Sequence, residues 1–213
     1  MIPTPLYIHG NGSISKEAPE EKNSSSKYVS DMEHPVPYTA NPTTYRTKEF
    51  MIDDQRFAST RPDVLTFVSA PLTDTLRLGG PIEVELKVAI EGTDADFMVK
   101  VIDVFPENFD YSDDIKEMNN IYYPMSGYQL MVRGELFRGR FREGFDNPKP
   151  FKPGKLTEVN YTLYDVAHTF LPGHRIMIQI QSSWFPIIDR NPQRFIDTYK
   201  CGIEDFLMKQ TIE

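Results

Sequence analysis

Between Ile82 and Ile90 apolar side chains occupy every second position, with Glu83, Glu85 and Lys87 between Ile82, Val84, Leu86 and Val88. A period of two sends alternate side chains to opposite faces, so this segment predicts a half-buried strand. Phe97 to Phe105 is denser in apolar residues and ends at Pro106, which predicts a strand nearer the middle of a sheet. Tyr128 to Phe141 predicts another, with Arg138, Arg140 and Arg142 at alternate positions and therefore on one face. Val159 to Leu163 and Arg175 to Gln181 alternate again, and Pro172-Gly173-His174 between them is a turn signal. Residues 10–62 differ: Gly10-Asn11-Gly12-Ser13, Ser24-Ser25-Ser26, Pro35, Pro37, Pro42 and Pro62 predict a long loop with short extended pieces, wrapping a core built by the later strands. About seven or eight strands, no amphipathic helix and no internal repeat predict an all-β fold: a two-sheet antiparallel sandwich of Greek-key or jelly-roll topology.

Composition narrows the picture. With 17 Pro and 12 Gly in 213 residues, long helices have little room, and an all-β chain of this size is expected to form a single domain over residues 1–213. A formal charge of −8 removes the field that would draw nucleic acid or an anionic membrane, so neither is expected as a partner. Cys201 is the sole cysteine, so no intrachain disulfide forms and no zinc site is built from thiolates. Residues 1–10 lack the basic stretch and apolar run of a secretory signal, and no segment approaches the roughly 20 apolar residues of a membrane helix.

Few residues stand in a pattern that carries chemistry. An α/β-hydrolase nucleophile needs a G-x-S-x-G turn to lift its hydroxyl clear of the sheet, and Ser13, Ser126, Ser182 and Ser183 all lack that setting. His9, His34, His168 and His174 are far apart in sequence, and the expected role of His168 and His174 is to satisfy nearby backbone groups. Asp94, Asp96 and Asp103 do not follow a calcium-loop spacing and are expected to be solvated turn carboxylates; the acidic run from Asp110 to Glu117 is expected to be a solvated loop. The arginine row has two readings, solvent-facing strand charges or a row that meets carboxylates of another domain. Trp184, in Ser182-Ser183-Trp184-Phe185-Pro186, is expected in the core, with an interface role as the alternative. No metal and no cofactor is expected.

Several ordered motifs resemble a known family. Asp53-Asp54-Gln55-Arg56-Phe57, Arg61-Pro62-Asp63-Val64-Leu65 and Asp96 to Pro106 are followed by Gly127 to Glu135, Arg140-Phe141-Arg142, Pro172-Gly173-His174-Arg175, Gln181 to Pro186 and Asp189-Arg190-Asn191-Pro192. Together, from about Leu6 to about Phe206, they resemble the C-terminal β-sandwich of X-Pro dipeptidyl-peptidase-like hydrolases. The likeness is strongest to the α-amino-acid ester hydrolase and cephalosporin (glutaryl) acylase branch, with cocaine esterase more distant.

The resemblance implies a galactose-binding-like jelly roll packed on an α/β-hydrolase domain that precedes it in the parent chain and holds the Ser-Asp-His triad. No catalytic residue carries over. The implied role is non-catalytic, covering one side of the active-site cleft, with a homo-oligomer possible; relatives are often exported, which implies a periplasmic or secreted parent. The chain opens where the hydrolase domain would have ended and stops at Thr211-Ile212-Glu213, which implies an excised domain. Residues expected at the domain interface are Arg138, Arg140, Arg142, Tyr122, Tyr123, Trp184 and Phe185. A stand-alone carbohydrate-binding jelly roll is the alternative, since 14 Phe, 11 Tyr and one Trp could supply sugar platforms. An independent enzyme using His168 or His174 is a third reading.

Overall fold

The alternating and apolar runs become the strands of two facing sheets. The computed structural model describes residues 3–21, 24–43, 45–112 and 124–213. Among them ten strands form: β1 (Tyr7–Ile8), β2 (Ser13–Ser15), β3 (Tyr28–Asp31), β4 (Leu65–Ser69), β5 (Leu76–Val88), β6 (Asp96–Val104), β7 (Gln129–Arg138), β8 (Thr157–Phe170), β9 (Arg175–Gln181) and β10 (Lys209–Ile212). One sheet runs β1-β2-β4-β9-β6-β7, antiparallel except where β2 lies parallel to β4. In the other layer β5 pairs with β8 and β10 with β3. The two pairs meet edge to edge where Ile90 bridges Ile212 and Ala89 exchanges 2.9 Å backbone bonds with Glu213.

The layers form a β-sandwich because their inward positions are apolar. Ile14, Phe67, Val99, Val101, Ile176 and Ile180 of the first sheet meet Val84, Leu163 and Phe170 of the second. A second cluster joins Tyr28, Val88, Ile90, Phe97, Val159 and Ile212. Each such side chain contributes roughly 1.5–3 kcal/mol on burial, so the inner faces fix the register of both sheets. As expected from its dense apolar run, β6 is central, with β7 and β9 as neighbours and every residue from Asp96 to Asp103 buried. Its outward side chains are also covered, since Tyr38 and Phe50 pack with Met98, Met131 and Trp184 on that face. This covering segment, described over residues 32–43 and 45–62, includes a 3-10 turn, Glu49–Met51, and the one-turn helix α1 (Arg56–Ser59).

Three expectations need correction. The strand expected from Tyr128 to Phe141 stops at Arg138 and continues as a 3-10 turn, Gly139–Phe141. Gly139 donates to the Ala95 carbonyl at 2.9 Å, and a Cβ there would lie 2.8 Å from the Phe151 ring, so the chain bends over Phe151. Arg140 and Arg142 thereby leave the strand, and the three arginines do not form a single-faced row. The segment expected at Val159–Leu163 is part of the 14-residue β8, which also holds His168. Finally, Asp94, Asp96 and Asp103 are not solvated: their exposures are 0, 2 and 2%.

Candidate functional site

The buried aspartates explain where the arginines go. Arg138 faces Asp96 across the β6–β7 pair, with Nε 3.0 Å from Oδ1 and Nη2 3.0 Å from Oδ2. Arg140 reaches Asp94 Oδ2 at 2.6 Å, and Asn191 Nδ2 donates to Asp94 Oδ2 at 3.0 Å and to Asp96 Oδ1 at 2.7 Å. Burial pushes both carboxyl pKa values up, while the guanidinium charges oppose that shift. The remaining guanidinium hydrogens go to backbone carbonyls of residues 189, 194 and 196, so this network ties the 189–197 segment to β6 and β7. Arg142 donates to the carbonyls of Gly139, Lys149 and Pro150 and lies 4.2 Å from the Phe151 centroid. All three arginines are thus engaged within this chain.

A second cluster lies where β6, β8 and the turn before β9 meet. His168 Nε2 and His174 Nδ1 each approach a different oxygen of Asp103 at 2.8 Å. Phe105 packs 4.5 Å from the His174 ring, and His174 is 3% exposed. The imidazoles satisfy a buried carboxylate rather than backbone groups. Among the described residues no group of three or more His, Cys, Asp or Glu is arranged to hold a metal ion.

The third feature centres on a residue inside the Asp96 to Pro106 motif to which the sequence assigns no role. Lys100 is wholly buried on the outward face of β6, opposite Gln179 of β9 and Gly134 of β7. Its Nζ donates to Gln55 Oε1 at 3.0 Å and lies 5.6 Å from the Phe57 centroid. Burial alone holds its pKa down at about 7.

Exposed apolar residues occur on the covering segment and beside Trp184. Trp184 is buried, its ring 5.7 Å from Phe50 in an edge contact, whereas Phe185 is 37% exposed. Phe185 pairs its backbone with the covering segment, accepting from Tyr38 N at 2.9 Å and donating to Val36 O at 3.0 Å. With Pro35, Pro37, Pro42 and Pro186, and with the polar His34, Thr43 and Arg61, it lines a shallow groove of about 700 Å³. Arg190, anchored on the Met32 carbonyl at 2.6 Å, places its guanidinium 5.6 Å from Phe185 and 4.7 Å from Phe206. Tyr45, Met51 and Ile52 on the covering segment are 82, 50 and 61% exposed, and Tyr199 and Ile203 beyond Arg190 are 97 and 82% exposed. Tyr122 and Tyr123 lie outside the described residues.

The serines have other occupations. Ser182 Oγ is 2.6 Å from the Tyr28 hydroxyl, Ser183 Oγ accepts from Val36 N at 2.8 Å, Ser126 donates to the Phe109 carbonyl, and Ser13 donates to Asn11. His9 Nε2 lies 2.9 Å from Ser15 Oγ, a hydroxyl that also donates to the Glu17 carbonyl and accepts from the Glu17 amide. Lys100, Arg190 and Asn191 lie within the family motifs without a role that the motifs reveal, and the exposed Met51 and Ile52 lie in none of them. One basic residue inside the apolar run Phe97 to Phe105 was the available signal for Lys100.

Comparison with known proteins identifies the domain. Residues 10–204 match the X-Pro dipeptidyl-peptidase C-terminal non-catalytic domain. Cocaine esterase of Rhodococcus sp. (strain MB1 Bresler) is 30% identical over 196 residues, covering 88% of this chain and 31% of that protein. The crystal structure of an aminopeptidase from the marine sediment archaeon Thaumarchaeota archaeon superposes with a TM-score of 0.86 at 40% identity, over 97% of this chain and 33% of its own. An α-amino acid ester hydrolase structure gives a TM-score of 0.86 at 38% identity, over 98% and 33%. The chain therefore spans about a third of the length of these relatives. On the match over residues 10–204, this β-sandwich belongs to the X-Pro dipeptidyl-peptidase C-terminal non-catalytic domain family.

Proposed function

We propose that the chain is the non-catalytic C-terminal jelly roll of a serine hydrolase of the acylase, α-amino-acid ester hydrolase or X-Pro dipeptidyl-peptidase type. In this reading it packs on an α/β-hydrolase domain of the same polypeptide and helps wall its active-site cleft, excluding water and bulky substrates. The observation that carries the reading is the groove in which Pro35, Pro37, Pro42, Phe185 and Pro186 gather exposed apolar surface, on a covering segment that also exposes Tyr45, Met51 and Ile52. Exposed apolar groups gathered on one surface mark an interaction site, whereas scattered ones do not. Trp184 and Phe50 pack together next to Phe185, and Arg190 links Phe185 to Phe206. The relatives supply the partner, since about two thirds of each lies outside the match.

The test is made in the full-length polypeptide. Ile52→Asp and Phe185→Asp are expected to lower both thermal stability and kcat/KM for an ester or amide substrate, while the same changes leave the folding of the isolated chain intact. Unchanged activity and stability in the full-length variants would refute the docking role. Turnover of an activated ester by the purified chain, after removal of contaminating esterase, would refute the non-catalytic role.

A further inference from the structure

A lysine without a counter-charge beneath a covering segment is an unstable arrangement with a specific consequence. Across the first sheet Thr66, Gln179, Lys100 and Gly134 form a row at equivalent register, all on the face beneath the covering segment. Gly134 leaves room there, since a Cβ would come within 3.3 Å of Lys100 Cγ and 2.7 Å of Met98 Cε. Gln55 and Phe57 of the covering segment contact the amine, and the residues that share its face on the neighbouring strands are Gln179 and Met177 of β9, Gly134 and Met131 of β7, and Thr66 of β4. None carries a charge. The nearest acidic residues in the covering segment are turned elsewhere: Asp53 binds Thr39 and the Ala40 amide, and Asp54 binds Arg56 and the Gln129 amide.

Gln55 is the clasp. Besides the side-chain oxygen that accepts from Lys100, its backbone N–H donates to the Gln129 carbonyl at 3.0 Å, and its backbone carbonyl accepts from Ala58 at 3.0 Å and Ser59 at 3.1 Å. One residue therefore joins the covering segment to β6 and β7, and the Tyr128 hydroxyl adds a 2.5 Å bond to the Ile52 carbonyl. An ammonium has three hydrogens to place and a large desolvation penalty, whereas a neutral amine is content with the one bond to Gln55.

We propose that Lys100 is a proton-sensitive clamp: residues 50–62 seat fully on the sheet when the amine is neutral and loosen when it takes up a proton. Lifting the segment rehydrates Lys100 and restores its affinity for the proton, so acid favours the lifted state. Because the same segment carries Met51 and Ile52 outward, these exposed apolar side chains are held by a contact that responds to pH near neutrality.

Hydrogen–deuterium exchange of the Gln55, Ala58 and Ser59 amides between pH 6 and pH 9 tests this, with protection corrected for the intrinsic pH dependence of exchange. Protection is expected to rise about tenfold per pH unit above about pH 7 and to become flat in Lys100→Met. Flat protection in the unaltered chain, or an equal rise in Lys100→Met, would overturn the proposal. Should Lys100→Met fail to fold, the lysine ¹³Cε titration of the unaltered chain decides. One lysine titrating near neutrality, shifted upward by at least one pH unit in Gln55→Glu, supports the clamp; every lysine titrating above pH 9 overturns it.

Discussion

Asn191 bridges Asp94 and Asp96 with a single side-chain nitrogen, at 3.0 and 2.7 Å, between two guanidinium groups that approach the same carboxylates. Four charged side chains and one amide thus form a closed network at the start of β6. Removing one partner leaves a buried charge uncompensated, which is far more harmful than losing a surface pair. Arg140→Ala is expected to destabilise the domain by about 3–5 kcal/mol in denaturant unfolding. Arg140→Lys should recover only part of this, because the guanidinium also holds the carbonyls of Arg194 and Ile196.

Gly92 tests the same corner through the backbone. A Cβ there would stand 2.4 Å from the Gln193 carbonyl, which itself accepts from Thr93 at 3.2 Å and Asp94 at 3.3 Å. That oxygen belongs to the backbone and cannot step aside alone. Gly92→Ala should therefore lower stability by about 1–3 kcal/mol. Gly154, with φ +69° and open space around it, should lose only about 1 kcal/mol on the same change, from backbone conformation alone.

The depressed pKa of Lys100 fixes the sign of a pH effect on global stability. Unfolded lysine binds its proton up to about pH 10.4, whereas the folded residue releases it near 7, so between those values the unfolded state holds more protons. Stability should rise across that window by about 1.4 kcal/mol per pH unit from this group, with the full penalty present below pH 7. Burial holds the Tyr28 and Tyr161 hydroxyls above the usual phenol range, so their unfolded forms ionise first and stability should turn down again above about pH 10. Chemical denaturation at intervals between pH 6 and pH 11 reads both limbs, and Lys100→Met should flatten the first.

Trp184 offers an optical check on the covering segment. The single tryptophan is buried against Phe50, so its emission should be blue-shifted in the folded chain. Phe50→Ala should move the emission to the red and lower stability by about 3–5 kcal/mol. An unmoved spectrum would mean that Phe50 does not shield the indole.

The periodic segments were legible because burial on one face imposes a period of two, and β5, β6 and β9 follow the runs that announce them. The strand ending at Arg138 was not, because what stops it is the Phe151 ring and the Ala95 carbonyl, both distant in sequence from Gly139. The same holds for the aspartates. Asp94 and Asp96 look like turn residues until Arg140, Arg138 and Asn191 arrive from other parts of the chain, and Asp103 looks solvated until both imidazoles close on it. Family motifs pointed to the domain and its neighbour, but the exposed Met51 and Ile52 carry no motif and emerge only when the covering segment is laid on the sheet.

The central claim is that the exposed Ile52 and Phe185 dock on a hydrolase domain of the same polypeptide. Its most direct test is to produce that catalytic portion separately and titrate it with this chain, following both complex formation by calorimetry and the recovery of esterase or peptidase activity. The account predicts a complex that restores activity and is lost in Ile52→Asp and Phe185→Asp. Binding that is indifferent to both substitutions, or no binding at all, would contradict it.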